Sequence, residues 1–359
     1  MNTLLMGVIL AGSLLGTSAL STPSRCSGGG GVPFSSIPNT GYIDWRPLAT
    51  QQSIEELTVL ERENGVLLRM ANGEVELLHP KQQTQQRLLG SVFSPLSRIM
   101  DPLGVYFTNA SASAPLWSYD RKHQTAGFVQ FPKPEIRPQP LFWNRHFLFS
   151  AVQEGEIDGT IAFGVYQSNM RVRQSELTCT WKLPPGSGAP HIARGSEYPH
   201  LYVGIAYPSS TKGKDTLKIY SLHVETCASG VVAKEGPELE GPVKSLYYFP
   251  SADGFATILS HYDRGFVWWD GQGCQYLNTD GNTMIVPNAA LPMMVGWNEQ
   301  EGISLFNIVD RTRKPVGLGL RPYHLSESRS WITGDKLYIA PDLAEHQTRP
   351  LIEVTLNQK

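Results

Sequence analysis

A short alternating apolar strand, followed by a polar residue and a turn, recurs along the chain and constrains the fold more than any other feature. Seven copies end near His79, Asp120, Gln167, His223, Asp270, Asp310 and Asn357. Their spacing averages about 46 residues, which is the length of a unit of four short antiparallel strands. A second strand-like run precedes each copy, as Gly65–Met70 does before the copy that ends at His79. The repeat therefore predicts an array of four-stranded sheets.

This pattern resembles that of β-propellers in general, over about residues 42–359. The resemblance implies an all-β fold of about seven four-stranded blades. The seventh copy stops without room for a fourth strand, and the strand-like segment Tyr42–Trp45 is otherwise unassigned. We expect this N-terminal segment to pair with the C-terminal blade and close the ring, which removes two exposed edges. Six or eight blades, a β-sandwich pair or another all-β array are the alternatives.

Composition agrees with a fold of many strands and turns. Of 359 residues, 41% are hydrophobic and 17% are charged, and the chain holds 34 glycines and 26 prolines. That apolar content can form a core, while frequent glycine and proline indicate many turns. The net charge is −2, and no run of lysine and arginine is long enough to neutralise a row of phosphates. Nucleic-acid binding is therefore not expected.

The N-terminus has the pattern of an export signal. Residues 4–16 are apolar but too few to span a bilayer, and small residues at Thr17 and Ala19 fit cleavage after Ala19. The sequence thus predicts a signal peptide at 1–19, a flexible Ser/Gly/Pro-rich leader at 20–40 and a single propeller domain at 41–359. The protein is then secreted or periplasmic, with no membrane span in the mature chain. An uncleaved anchor is the alternative.

Export to an oxidising compartment favours disulfide bonds. The chain holds four cysteines, Cys26, Cys179, Cys227 and Cys274. Four cysteines allow three full pairings, and the sequence does not choose among them. No C-x-x-C spacing is present, so a zinc site is not predicted.

Two polar stretches are candidate binding residues because each precedes a blade and falls near the predicted channel mouth. The first comprises Trp143, Asn144, Arg145 and His146, and the second contains His191, Arg194 and Glu197. Together such residues could hold an anionic or sugar ligand, or act in acid–base chemistry. Alternatively, they satisfy buried backbone groups between blades.

Adjacent strand residues point to opposite sides of a sheet. For the pair Trp268 and Trp269 we therefore expect one indole in the core and one exposed on a face. An exposed tryptophan could stack on a sugar or anchor a protein partner.

Neither a cofactor nor a catalytic motif is indicated. Oxygen ligands from different blades can bind Ca²⁺, and Glu56, Asp101, Asn144 and His324 fall on predicted inner strands or their loops, but their spacing does not require a metal. The motifs of WD40, sialidase, kelch and quinoprotein propellers are absent, as are nucleophile elbows and phosphate-binding loops.

The leading hypothesis is an exported, non-enzymatic propeller that binds a protein or a glycan through its loop face. The first alternative is a channel-sited enzyme, such as a metal-dependent lactonase-type hydrolase. The second alternative is a structural subunit of an envelope or surface assembly. All three rest partly on fold analogy.

Overall fold

The structure is a computed structural model. It describes residues 27–36, 45–48, 53–60, 64–89, 105–108, 117–120, 125–133, 139–144, 147–157, 160–169, 171–188, 190–208, 215–232, 238–239, 243–259, 265–270, 273–279, 282–289, 291–298, 300–316, 322–343 and 349–356. The predicted signal peptide, Cys26, Asp101, Arg145 and His146 lie outside these ranges.

The described chain opens with three short strands, β1 (Ser27–Pro33), β2 (Ser35–Ser36) and β3 (Trp45–Leu48). Sheet 1 follows, with β4 (Ile54–Leu60), β5 (Gly65–Met70), β6 (Val75–His79) and β7 (Thr84–Leu89). Sheet 2 has β8 (Val105–Thr108), β9 (Trp117–Asp120) and β10 (Thr125–Phe128). Sheet 3 has β11 (Gln139–Asn144), β12 (Phe147–Ile157), β13 (Thr160–Asn169) and β14 (Gln174–Lys182).

Sheet 4 has β15 (Pro190–Ile192), β16 (His200–Pro208), β17 (Asp215–His223), β18 (Ser229–Val231) and β19 (Glu238–Leu239), the last two both pairing with β17. Sheet 5 has β20 (Val243–Phe249), β21 (Gly254–Leu259), β22 (Gly265–Asp270) and β23 (Gly273–Asn278). Sheet 6 has β24 (Thr283–Ile285), β25 (Met293–Asn298), β26 (Gly302–Asn307) and β27 (Thr312–Pro315).

The chain then forms β28 (Pro322–His324), which pairs with β31 (Asp342–Leu343). Sheet 7 has β29 (Ser330–Thr333), β30 (Lys336–Ile339) and β32 (Leu351–Thr355), with β3 as its fourth strand. Two 3-10 helices, Pro250–Ala252 and Glu327–Arg329, are the helical elements of the described chain. The predicted all-β fold is confirmed, and several of its sheets are four-stranded and antiparallel.

Middle strands are apolar on both faces where a sheet packs between two neighbours, as sheets 4 to 7 do. In β5, the consecutive residues Leu67 and Leu68 are both buried. Such burial on both faces explains why the run from Val66 to Leu68 is continuously apolar rather than alternating.

The buried clusters join sheets that follow one another in the chain. One cluster joins sheets 3 and 4, and others join sheets 4 and 5, sheets 5 and 6, and sheets 6 and 7. A further cluster packs Trp331 and Tyr338 of sheet 7 against Leu57 and Leu68 of sheet 1. After β10, Gln130 forms a bridge to Gln174 of sheet 3, and the ring of Phe131 lies 5.5 Å from that of Tyr166.

The N-terminal and C-terminal parts of the chain share sheet 7. Strand β3 is antiparallel to β32, with Trp45 opposite Val354 and Leu48 opposite Leu351. The strand that pairs with the C-terminal copy is thus Trp45–Leu48, where the sequence predicted Tyr42–Trp45.

Two strands lie within the stretch whose composition predicts a flexible leader. Strand β1 is parallel to β23 at the edge of sheet 5, and β2 is parallel to β27 at the edge of sheet 6. Between them, Phe34 is buried.

A disulfide joins Cys179 of β14 to Cys227, in the turn after β17, with 5.7 Å between their Cα atoms. It cross-links sheets 3 and 4. Cys274 is also disulfide-bonded. No helix among the described residues is long and apolar enough to cross a membrane.

Candidate functional site

The first strands of sheets 4 and 5 lie side by side and parallel. The N–H of Arg194, just after β15, donates to the carbonyl of Leu246 at 3.0 Å, and the N–H of Tyr248 donates to the carbonyl of Arg194 at 2.7 Å. These two bonds fix the backbone of Arg194 against β20.

Gly195 allows this close approach. Its φ is +89°, and a Cβ at this position would clash with the carbonyl oxygen of Tyr248 and the Cβ of Ala289. Only glycine combines a left-handed backbone with that space. The segment is thereby held between sheets 4, 5 and 6, and the direction of the Arg194 side chain is set.

Arg194, Tyr247 and Glu327 form a polar group drawn from three sheets. The guanidinium of Arg194 donates to Oε1 of Glu327, and the hydroxyl of Tyr247 donates to Oε2 of the same carboxylate at 2.8 Å. The Cζ of Arg194 also lies 5.9 Å from the centre of the Tyr247 ring. Glu327 begins the 3-10 helix that leads into sheet 7, so this group joins sheets 4 and 5 to sheet 7 and bypasses sheet 6.

The charge states of Tyr247 and Arg194 are fixed at neutral pH. Burial raises the pKa of Tyr247, and the negative charge of Glu327 raises that pKa further, so the phenol stays a neutral donor. Burial opposes the charge of Arg194, but the carboxylate of Glu327 outweighs this effect, and the net pKa of Arg194 is raised.

Arg194 nevertheless remains open to solvent. Its side chain is 51% exposed, whereas Tyr247 is 2% exposed. Within the part of the chain that the structure describes, Nε and Nη2 of Arg194 have no hydrogen-bond acceptor. The arrangement is a positioned guanidinium with free donors, which suits a carboxylate or another oxyanion.

A second charged group is centred on Asp342. Arg329 donates to both carboxylate oxygens of Asp342, from Nη1 at 3.0 Å and from Nη2 at 2.9 Å. Arg349 also donates to Asp342 and forms an ion pair with Glu55 of sheet 1. Burial alone would raise the pKa of Asp342, but hydrogen bonds from Arg329 and Arg349 hold that pKa well below its usual range.

His324 lies at the edge of this second group. Its Nδ1 is 2.7 Å from Nη2 of Arg329 and 3.1 Å from Oδ2 of Asp342, and the side chain is half-exposed. When Arg329 donates to Nδ1, that nitrogen carries no proton, and the imidazole proton is on Nε2. The Nε2–H is then the group that can act as a donor.

The helix Glu327–Arg329 connects the two groups because its first residue contacts Arg194 and its last contacts Asp342. Of these contacts, the sequence identified only Arg194 and His324 as candidates. Tyr247, Asp342 and Arg349 carry no local motif, since their partners are distant in sequence.

The other predicted binding residues lie in separate places. Trp143 and Asn144 are on β11 of sheet 3, opposite Leu148 and Phe147. His191 is half-buried on β15, and burial lowers its pKa, which favours the neutral imidazole. Glu197 is exposed in the turn before β16.

The expectation that one of Trp268 and Trp269 is exposed is wrong. Their exposed fractions are 6% and 7%. The two rings do point to opposite sides of β22, but Trp268 packs in the cluster between sheets 5 and 6 and Trp269 in that between sheets 4 and 5. A sheet covered on both faces buries both residues.

Two of the candidate metal ligands, Glu56 and His324, each lie beside an arginine. Glu56 is buried and forms an ion pair with Arg69 at 3.2 Å, while His324 lies beside Arg329. Among the described residues, no group of three or more His, Cys, Asp or Glu side chains could hold a metal ion.

No family model and no curated protein matches this sequence. The chain is similar in structure to an oligogalacturonate lyase in complex with manganese, with a TM-score of 0.55, 14% identity, and coverage of 91% of this chain and 97% of the other. It is also similar to an oligogalacturonate lyase from Vibrio parahaemolyticus, with a TM-score of 0.55, 10% identity, and coverage of 88% and 94%.

A chain of a mitotic checkpoint complex is similar as well, with a TM-score of 0.53, 13% identity, and coverage of 98% and 100%. These structures are propellers, and at such low identity the likeness shows the fold alone. The chain therefore has a β-propeller fold.

Proposed function

We propose that this protein is an exported seven-bladed propeller that binds a carboxylate-bearing glycan at its centre, with Arg194 as the anion-binding residue. The observation that carries the proposal is the half-exposed guanidinium of Arg194, held by Glu327 over the buried ring of Tyr247 where three sheets converge.

Seven blades and a closed ring fit the packing of the sheets. Sheet 2 contacts sheet 3, each later sheet contacts the next, and sheet 7 contacts sheet 1. Strand β3 completes sheet 7 beside β32. In such a ring the first strand of each blade lines a central channel, so Arg194, Tyr247 and Glu327 would meet at that channel.

Ring closure has a direct test in hydrogen exchange. If β3 completes the last blade, the amides of β3 and β32 exchange through one opening event with the same free energy. Faster exchange in β3 by several orders of magnitude would show that β3 is only loosely attached.

A uronate chain suits the site for chemical reasons. A guanidinium binds a carboxylate through parallel N–H···O bonds, and Nε and Nη2 form one edge of the group that can do so. Two of the structural neighbours are lyases of oligogalacturonate, which is a polymer of acidic sugars. That likeness makes uronates the first class of glycan to test.

Binding is tested by calorimetry with oligogalacturonate and with the same oligosaccharide after its carboxylates are reduced to alcohols. We expect only the acidic form to bind. Charge-assisted hydrogen bonds contribute about 1.5–3 kcal/mol, so Arg194→Gln should weaken binding by about 10- to 100-fold, and Arg194→Lys by less.

Arg87→Gln is the matched control. Arg87 is 61% exposed and forms an ion pair with Glu74 at the edge of sheet 1, far in sequence from Arg194. This variant should bind as the unchanged protein does. If the acidic and the reduced oligosaccharides bound equally, or if Arg194→Gln and Arg87→Gln lost the same affinity, Arg194 would not be the anion-binding residue.

An enzyme sited in the channel is the second candidate. It is favoured by the fold shared with lyases and by His324, whose half-exposed side chain lies beside Arg329 and Asp342. Incubation of the acidic glycan with the protein, followed by measurement of new unsaturated or reducing ends, separates binding from turnover. Product formation that His324→Ala abolishes would establish the enzyme.

A further inference from the structure

The first described segment of the chain lies across two neighbouring sheets. Strand β1 follows β23 of sheet 5, β2 follows β27 of sheet 6, and the N–H of Ser35 donates to the carbonyl of Arg311 at 2.9 Å. We call the segment Ser27–Ser36 the clasp. It spans the edges of sheets 5 and 6 formed by β23 and β27. The opposite edges of these sheets are formed by their first strands, and β20 of sheet 5 carries Tyr247 of the candidate site.

Phe34 is the apolar anchor of the clasp. It is 5% exposed, and its ring centre lies 6.2 Å from that of Phe266 and 4.9 Å from that of Phe306, edge-on to the latter. Phe266 belongs to β22 and Phe306 to β26. The ring therefore occupies a socket formed by two sheets, and a buried aromatic ring is among the largest apolar contributions a single residue makes.

Four of the ten residues of the clasp have no side chain that could pack. Residues 28–31 are four consecutive glycines, and the pairing of β1 with β23 shifts register between Ser27 and Val32. Glycine loses more backbone freedom on ordering than any other residue. With Phe34 near its C-terminal end, the clasp needs a second attachment near its N-terminal end.

Cys274 on β23 provides that attachment. It is disulfide-bonded, and because Cys179 is bonded to Cys227, Cys26 is the remaining cysteine of the chain. Ser27 lies opposite Gln275, and the same register continued by one residue would set position 26 opposite Cys274. We infer that a Cys26–Cys274 disulfide locks the clasp into a strand-binding groove along sheets 5 and 6.

The chemistry of the lock requires an oxidant. Forming one S–S bond from two thiols releases two protons and two electrons, which an external disulfide such as oxidised glutathione accepts as it becomes two thiols. The bond tethers the N-terminal end of the clasp to β23, which restricts the undocked chain and so offsets the entropy that the glycines lose on docking. Reduction leaves Phe34 as the main attachment.

Peptide mapping of the oxidised protein without reductant tests the pairing. The expected result is one peptide that contains both Cys26 and Cys274, and a second that contains Cys179 and Cys227. Linkage of Cys274 to another chain, or to any cysteine other than Cys26, would overturn the inference.

Thermal unfolding of a Cys179→Ala/Cys227→Ala variant tests the lock, because that variant retains only Cys26 and Cys274. Reductant should lower its Tm by several degrees, and adding Cys26→Ser should abolish this response. A Tm that reductant does not change would contradict a stabilising lock.

A labelled peptide of residues 27–36 tests the groove. Added to the reduced protein carrying Phe34→Ala, it should bind, whereas the same peptide with alanine in place of Phe34 should bind at least tenfold more weakly. The reduced protein carrying Phe128→Ala, which removes a 54% exposed phenylalanine of sheet 2, is the control and should not bind the peptide, because its own Phe34 fills the socket. Equal binding of the two peptides would refute the socket.

Discussion

The guanidinium of Arg194 forms an ion pair with the carboxylate of Glu327, which lies 133 positions further along the chain. Arg194 follows a strand of sheet 4, Glu327 leads into sheet 7, and Tyr247 of sheet 5 binds the same carboxylate. One carboxylate thus connects sheets 4 and 5 to sheet 7, and its partners determine how much charge this polar group presents to solvent.

The coupling between Arg194 and Glu327 should be small, since half of the arginine side chain is in water. A double-mutant cycle with Arg194→Gln and Glu327→Gln is expected to give about 0.5–1 kcal/mol in urea unfolding at low salt. The value should fall as salt is added. A coupling of several kcal/mol would indicate that the pair is desolvated and that Arg194 is not accessible to a ligand.

Gly195→Ala should destabilise the protein strongly because the new Cβ meets the carbonyl of Tyr248 in a backbone conformation that alanine disfavours. We expect a loss of about 3 kcal/mol or more in the free energy of unfolding. Gly186→Ala is the matched control, since Gly186 has φ +75° but no atom within 4 Å of an added Cβ. It should cost only about 1 kcal/mol, and equal losses would mean that the steric contact is absent.

Asp342 should make the protein sensitive to acid. Its pKa is lowered in the folded state, so its stabilising effect is complete above the unfolded pKa of about 3.9 and is lost as the pH falls through lower values. Asp342→Asn should cost about 3–5 kcal/mol at pH 7, because it leaves Arg329 buried without its charge partner.

The same substitution should flatten the pH dependence of stability below pH 4. Asp310→Asn is the control, because Asp310 is exposed and accepts a hydrogen bond from Asn307 in a turn. Urea midpoints measured from pH 2 to pH 7 compare the two variants. If the urea midpoints of both variants fall at low pH as those of the unchanged protein do, Asp342 does not cause the acid sensitivity.

The Cys179–Cys227 disulfide should stabilise the protein by limiting the unfolded chain. Its sequence separation is 48, for which the chain-entropy model gives about 4 kcal/mol. Cys179→Ala/Cys227→Ala should lower the free energy of unfolding measured in urea by about that amount and so lower the urea midpoint. No change in midpoint would mean that native contacts alone hold sheets 3 and 4 together.

The sequence predicted the strands with the strongest apolar pattern and missed those without one. Strands β5 and β6 lie where the repeat places them, because long apolar runs in the middle of a sheet depend little on distant partners. Strand β1 was missed because its glycines have no side chains and so give no pattern of apolar and polar residues. It is a strand because it pairs with β23 at the edge of sheet 5. The strand propensity of single residues does not show that a segment pairs with a strand distant in sequence.

The candidate site was predictable only in part. Arg194 was identified because its segment leads from one strand to the next, but Glu327 has no local feature that points to Arg194. Trp268 and Trp269 were assigned wrongly because alternation gives the direction of a side chain and not what covers it. Contacts between distant sheets need the three-dimensional arrangement.

The antiparallel pairing of β3 with β32 has a mechanical consequence. Trp45 lies opposite Val354, so a force applied to these two strands from that end would unzip the pair, breaking its hydrogen bonds one after another. Such peeling resists far less force than shearing all the bonds together. Under load, sheet 7 would open first at this pair, while the parallel contacts of β1 and β2 would carry tension to sheets 5 and 6.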